Sequence, residues 1–232
     1  MFWNPTYYLF ALPAFLLALY AQWKVRTAYR QYMRVPNAAG VTGLDAARLL
    51  LARTGLGVRI EGVRGTLTDH YDPRTKTLRL SPGVAQSASV GALAIVAHEV
   101  GHAMQDAQAF ALLRLRSGLV PIVNFTSWLG PILFMIGWFM NYQPLASLGV
   151  VFFSGAVVFS LLTLPVELDA SRRGTQLLEE TKLVSGDEDL KGARRVLSAA
   201  ALTYVAALAQ SVSTMLYYLF LLSGSSRRRR RL

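Results

Sequence analysis

Residues 98 to 102 read His98-Glu99-Val100-Gly101-His102, the H-E-x-x-H spacing. On a helix, side chains four apart stand on one face a turn apart, so two imidazoles at His98 and His102 can ligate one zinc ion. Glu99 follows the first of them, where its carboxylate can reach a zinc-bound water, take its proton and pass it to a departing amine. Three protein ligands plus that water make an open catalytic site rather than a closed structural one. A chance match in a 232-residue chain with 3 histidines has a probability on the order of one per cent or less. The competing reading, two core histidines that merely hydrogen-bond to neighbours, leaves a buried glutamate unexplained.

The chain has no cysteine, which removes disulfides, thiol nucleophiles and cysteine zinc sites and leaves His, Asp and Glu as the strong metal ligands. A third ligand comes from His70, the remaining histidine, or from a carboxylate. The sequence Pro165-Val166-Glu167-Leu168-Asp169-Ala170-Ser171-Arg172-Arg173 closes a long uncharged run, and an acidic group buried at such a boundary needs a partner. Zinc supplies one for Glu167. Otherwise Glu167 or Asp169 caps a helix or pairs with Arg172 or Arg173. The residues alone leave these alternatives open.

The elements that must position these groups are legible in outline. From about 89 to 109 the chain is rich in alanine, with Leu93, Val96, Val100 and Met104 and no proline; this predicts a buried helix carrying the histidines. Thr42-Gly43-Leu44-Asp45 has the capping-box form with Asp in place of Glu, and Gly55 is a C-terminal stop, so a short helix lies between them. Val58–Glu61 and Thr77–Ser81 alternate apolar and polar residues, and Asp72-Pro73 starts a turn. A small sheet follows, with a hairpin over about 66–81.

The chain is 53% hydrophobic and 16% charged, with a mean hydropathy of +0.35, which argues for a membrane protein rather than a soluble globule. Thr6–Trp23 is uncharged and close to a span length, and no basic residue precedes it, so residues 1–23 are expected to be an uncleaved anchor. Residues 117–166 are uncharged over about twice a span length, with Asn141-Tyr142-Gln143-Pro144 as a central turn signal; they predict a transmembrane hairpin. Residues 199–222 are apolar but carry Thr203, Gln210, Ser211, Ser213 and Thr214, and are read as a further crossing, with a place in the interface or inside a bundle as the alternatives.

A hairpin that crosses and returns puts the polar stretches 24–116 and 167–198 on one side, where they form one zinc domain. Arg30, Arg34, Arg114, Arg116, Arg172, Arg173, Arg194 and Arg195 near span ends place that side in the cytoplasm of a cell-membrane protein. The tail 223–232, with Arg227–Arg231, then lies on the far side against the same rule; the more numerous loop charges are taken to outvote it. A net charge of +11 fits an anionic lipid surface, and no nucleic-acid recognition motif accompanies the arginines.

Three segments resemble the bacterial membrane zinc metallopeptidases of the YugP type, related to the gluzincin group that includes HtpX-like and CAAX-prenyl proteases: LTDHYDPRTKTLRLS (Leu67–Ser81), VAHEVGHA (Val96–Ala103) and PVELDASRR (Pro165–Arg173). With the apolar segments in matching order the likeness covers nearly the whole chain. It implies a zincin-like (gluzincin) domain with a small sheet and three or four transmembrane helices, mainly α overall. In that group a Glu-x-x-x-Asp glutamate on a helix after a membrane hairpin is the third ligand, which here implies Glu167. Ser171 stands at the Asp position, so the carboxylate that orients a ligand is absent or supplied by Asp169. The resemblance also implies that the hairpin at Asp69-His70-Tyr71 borders the cleft, with His70 or Tyr71 donating to an oxyanion and an edge strand pairing with peptide.

The expected activity is zinc-dependent hydrolysis of peptide bonds in a peptide or membrane-protein substrate, with one Zn2+ per chain. A zinc that only staples a membrane scaffold, with His70 or Asp169 as fourth ligand, and a zinc hydrolase acting on a non-peptide bond are the rivals.

Overall fold

The computed structural model describes residues 5–184 and 186–229, without the side chains of 225–229. The expected Arg227–Arg231 tail therefore lies outside the described side chains. The described residues form seven helices and three strands: α1 (Pro5–Tyr32), α2 (Gly43–Thr54), β1 (Arg59–Gly62), β2 (His70–Asp72), β3 (Thr77–Leu80), α3 (Pro82–Ala85), α4 (Val90–Ala107), α5 (Ala111–Phe139), α6 (Gln143–Glu180) and α7 (Asp187–Arg229). The protein is thus mainly helical with one small sheet.

Among the described residues four helices are long and apolar enough to cross a membrane: Pro5–Tyr32, Ala111–Phe139, Gln143–Glu180 and Asp187–Gly224. The expected segment 199–222 is therefore the middle of a much longer helix. The first helix also outlasts its expected end at Trp23, running to Tyr32, because Ala28 and Tyr32 are buried in an apolar core. Between α5 and α6 the chain reverses at Asn141, whose φ is 53°. Pro144 falls in the first turn of α6, where its missing N–H is harmless.

The chain divides into two compact units. One comprises Met1–Tyr20, Leu115–Leu164 and Tyr204–Leu232. Within it α5 and α6 approach closely: a Cβ on Gly137 would lie 2.3 Å from Ala146 N, and one on Gly149 would lie 2.4 Å from Phe134 N. Small residues at such contacts let membrane helices pack through dispersion where no hydrophobic effect acts between them. Phe134 is fully buried there and stacks on Tyr218 at 4.1 Å between ring centroids.

The other unit comprises Ala21–Arg114 and Pro165–Thr203. Leu50, Leu78, Leu93, Val96, Val100 and Leu178 form its core, drawn from α2, β3, α4 and α6. Thr42 caps α2 as expected, its hydroxyl accepting from Asp45 N–H, and Gly55 ends it in the left-handed conformation at φ 67°. The sheet has the order β1-β3-β2. β2 and β3 form the hairpin, and β1 pairs with β3 in parallel. The tight turn after Asp72 commits one edge of β3 to β2, so β1 takes the other. That turn is held by the Asp72 carboxylate, which accepts from Arg74 N–H, Thr75 Oγ1 and Arg79.

Candidate active site

Helix α4 starts at Ser89, whose hydroxyl accepts from Ala92 N–H, and the four-residue spacing puts His98 and His102 on one face with ring centroids 4.8 Å apart. Helix α6 lies against that face at very short range. A Cβ on Gly101 would meet Ala170 O at 2.4 Å, and one on Gly174 would meet Ala97 O at 2.5 Å. Only two glycines allow this approach of backbone to backbone. It brings Glu167, 2% exposed, up to the histidines: its Oε2 is 3.2 Å from His98 Nε2 and 3.5 Å from His102 Nε2.

These three side chains are the one group among the described residues whose ligand atoms converge, all within 4.8 Å of one another. Bonds of about 2.0–2.2 Å to a tetrahedral zinc separate ligand atoms by about 3.3 Å; the two edges from Glu167, 3.2 and 3.5 Å, match that value, and the edge between the histidines lies within 4.8 Å. Two imidazole nitrogens and one carboxylate oxygen are also the donor set of an open zinc site. The residues fit the ion.

Each histidine is held from behind. His98 Nδ1 meets Ser171 Oγ at 3.1 Å, and His102 Nδ1 meets Gln105 Oε1 at 3.0 Å. Ser171 therefore contacts a histidine from the position at which the resemblance implied an aspartate. Asp169 is not beside a histidine; it accepts from Gln105 Nε2 at 2.9 Å and from Arg172 and Arg173. Arg173 in turn reaches Gln108 and lies 5.8 Å over the Phe110 ring, tying the end of α4 to α6.

Glu99 is buried on the same helix, and its Oε2 accepts the Tyr71 N–H at 2.9 Å. Burial pushes its carboxyl above the ordinary range, against the pull of His98 and His102. Burial disfavours charge on His102, but Glu167 and Glu99 outweigh it and hold the imidazole above its usual value. The Tyr71 hydroxyl donates to Asp106 Oδ2 at 2.8 Å, so it does not face the ligand group as a free donor. His70 stands apart as well. It is exposed, with Nδ1 on Thr68 O at 2.8 Å and Nε2 3.5 Å from Arg79.

Gln105, the Ser171 hydroxyl and the Tyr71 backbone N–H were not foreseen from the sequence. Gln105 had one readable signal, its place three residues after His102 on the same helix. The close approach itself makes a prediction. Gly101→Ala places a methyl against the Ala170 carbonyl, which cannot yield as a side-chain tip can, and α4 and α6 must part. The expected cost is about 1–3 kcal/mol of stability together with weaker metal binding, read by thermal unfolding with and without zinc; unchanged values in both would show that the helices have room.

A family described as "Putative neutral zinc metallopeptidase" matches residues 7–223. A protein of Bacillus subtilis (strain 168) named "Putative membrane protease YugP" is 42% identical over 206 residues, covering 88% of this chain and 91% of that one. No solved structure matches the chain.

Proposed function

The chain belongs to the zinc metallopeptidase family that matches residues 7–223, and from that premise we propose that it is a membrane-bound, zinc-dependent endopeptidase. His98, His102 and Glu167 hold one zinc ion, and Glu99 is the general base and acid. The observation that carries the reading is the convergence of three largely buried ligand atoms beside a buried carboxylate that belongs to none of them.

A zinc ion at this place supplies a Lewis acid for the scissile carbonyl and lowers the pKa of an attacking water. Glu99 takes the proton of that water. Its Oε2 is fixed by the Tyr71 N–H, which leaves Oε1 to receive the proton and return it to the leaving amine. Strand β2 is an edge of the sheet, and its Tyr71 N–H reaches the site; an extended substrate pairs along that edge. Against the scaffold reading stand the partners of its two proposed fourth ligands, since Asp169 is engaged by Gln105, Arg172 and Arg173 and His70 is exposed beside Arg79.

The zinc domain comprises 24–116 and 167–198, and the basic residues near the span ends favour the cytoplasmic face. The relative named as a membrane protease and the four apolar helices support a substrate met at or in the membrane. The test is metal removal in detergent. Purified protein is expected to carry one zinc, to cleave an unfolded protein such as casein, to lose that cleavage on chelation and to regain it on addition of zinc. Undiminished cleavage by the stripped protein would overturn the reading.

A further inference from the structure

We propose that Gln105 is a positioning residue that keeps a proton on His102 Nδ1 and so reserves His102 Nε2 as the metal-binding atom. The argument begins with the orientation of the amide. Its nitrogen lies 2.8 Å from the Val166 carbonyl oxygen and 2.9 Å from Asp169 Oδ2. Both partners only accept. A flipped amide would set its oxygen against both, and Gln105 is 0% exposed, so no solvent exists to relieve that contact. The nitrogen end is therefore fixed.

The oxygen end then faces His102 Nδ1 at 3.0 Å. An amide oxygen only accepts, so Nδ1 must donate, and the free lone pair of a neutral imidazole is confined to Nε2, the atom turned toward Glu167. His98 has no such lock. Its Nδ1 meets the Ser171 hydroxyl, which accepts or donates as required. The lock is anchored at its far end. Asp169 is paired with Arg172 and Arg173, which keeps it an anionic acceptor for the amide. Asp169 thus acts on the site through Gln105, over the chain Arg173, Asp169, Gln105, His102.

The metal role of this lock rests on the proposed zinc centre, whereas the place of the proton does not. The test uses 15N-histidine-labelled protein in nanodiscs, with zinc affinity measured by chelator competition on the parent and on Gln105→Met. Removing such an outer partner weakens metal binding about 10–100-fold. The expected result is a parent His102 with a proton on Nδ1 both without metal and with zinc, and a variant with zinc affinity reduced by that factor. A bare Nδ1 in the parent overturns the proposal, and needs no variant to fold. Parental affinity in a folded Gln105→Met variant overturns it too. A parent that takes up no zinc would instead overturn the metal centre itself, and the positioning role with it.

Discussion

Glu99→Gln is expected to keep the zinc content of the parent and to lower peptide hydrolysis about 100- to 10,000-fold, the range that general acid and base groups supply. The substitution is nearly isosteric. A glutamine oxygen still accepts the Tyr71 N–H that Glu99 Oε2 accepts now, so β2 and α4 stay joined. None of the three converging ligand atoms is touched. Only proton transfer is lost, because an amide oxygen is far too weak a base to take a proton from water at neutral pH. Stability should not fall, since a buried carboxylate whose charge is disfavoured by desolvation gives way to a neutral group. Zinc analysis, thermal unfolding and casein cleavage on the same preparation check all three statements. Cleavage at the parental rate by a zinc-loaded variant would remove Glu99 from the chemistry.

What the sequence disclosed about this site is what helix geometry fixes locally. His98, Glu99 and His102 share one helix, so their spacing alone places two imidazoles on one face, and the structure keeps them there. Thr42 and Gly55 bound α2 because capping chemistry is also local. Glu167 lies 65 positions beyond His102 in the sequence, and its approach depends on Gly101 and Gly174 meeting backbone to backbone. No periodicity announces that contact. The rear partner of His98, Ser171 on α6, was unreadable for the same reason, whereas Gln105 stands three residues after His102 on the same helix. Ser171 resembled a departure from an expected aspartate, yet its hydroxyl reaches His98. Asp169 was one of two alternatives, the orienting carboxylate being absent or supplied by it; it meets Gln105, whose oxygen faces His102, a contact that composition does not announce.

The sheet shows the same divide. Alternation marked Val58–Glu61 and Thr77–Ser81 as strands and the Asp72 turn as a hairpin signal, and β1, β2 and β3 form there. Which strand pairs with which is a property of the assembled unit. The hairpin occupies one edge of β3 first, so the earlier strand is left with parallel pairing on the other.

Glu167→Ala is expected to abolish stable zinc binding and to lower the stability of the metal-free protein, which loses the contacts of Glu167 with His98 and His102. Replacement of a carboxylate ligand leaves two imidazoles, and among the described residues no other ligand atom converges with them. Asp169 follows two residues later on α6, but its oxygens are turned to Gln105, Arg172 and Arg173, and releasing it would cost two ion pairs and the amide lock. His70 is on the exposed hairpin beside Arg79. The metal-free fold loses stability as well, because the pull of His98 and His102 on the Glu167 carboxylate outweighs its desolvation and holds its pKa below the usual range, a loss that His102 softens by relaxing to its neutral form. The contrast is best read as ligand-linked stabilisation. Zinc at 1,000 times its dissociation constant stabilises a folded binder by about 4 kcal/mol, so the parent should show a large upward shift of its thermal midpoint on zinc addition. The variant should show almost none at the same free zinc. A variant that keeps the parent's zinc-induced shift would move the third ligand away from Glu167, and the first position to examine would then be Asp169.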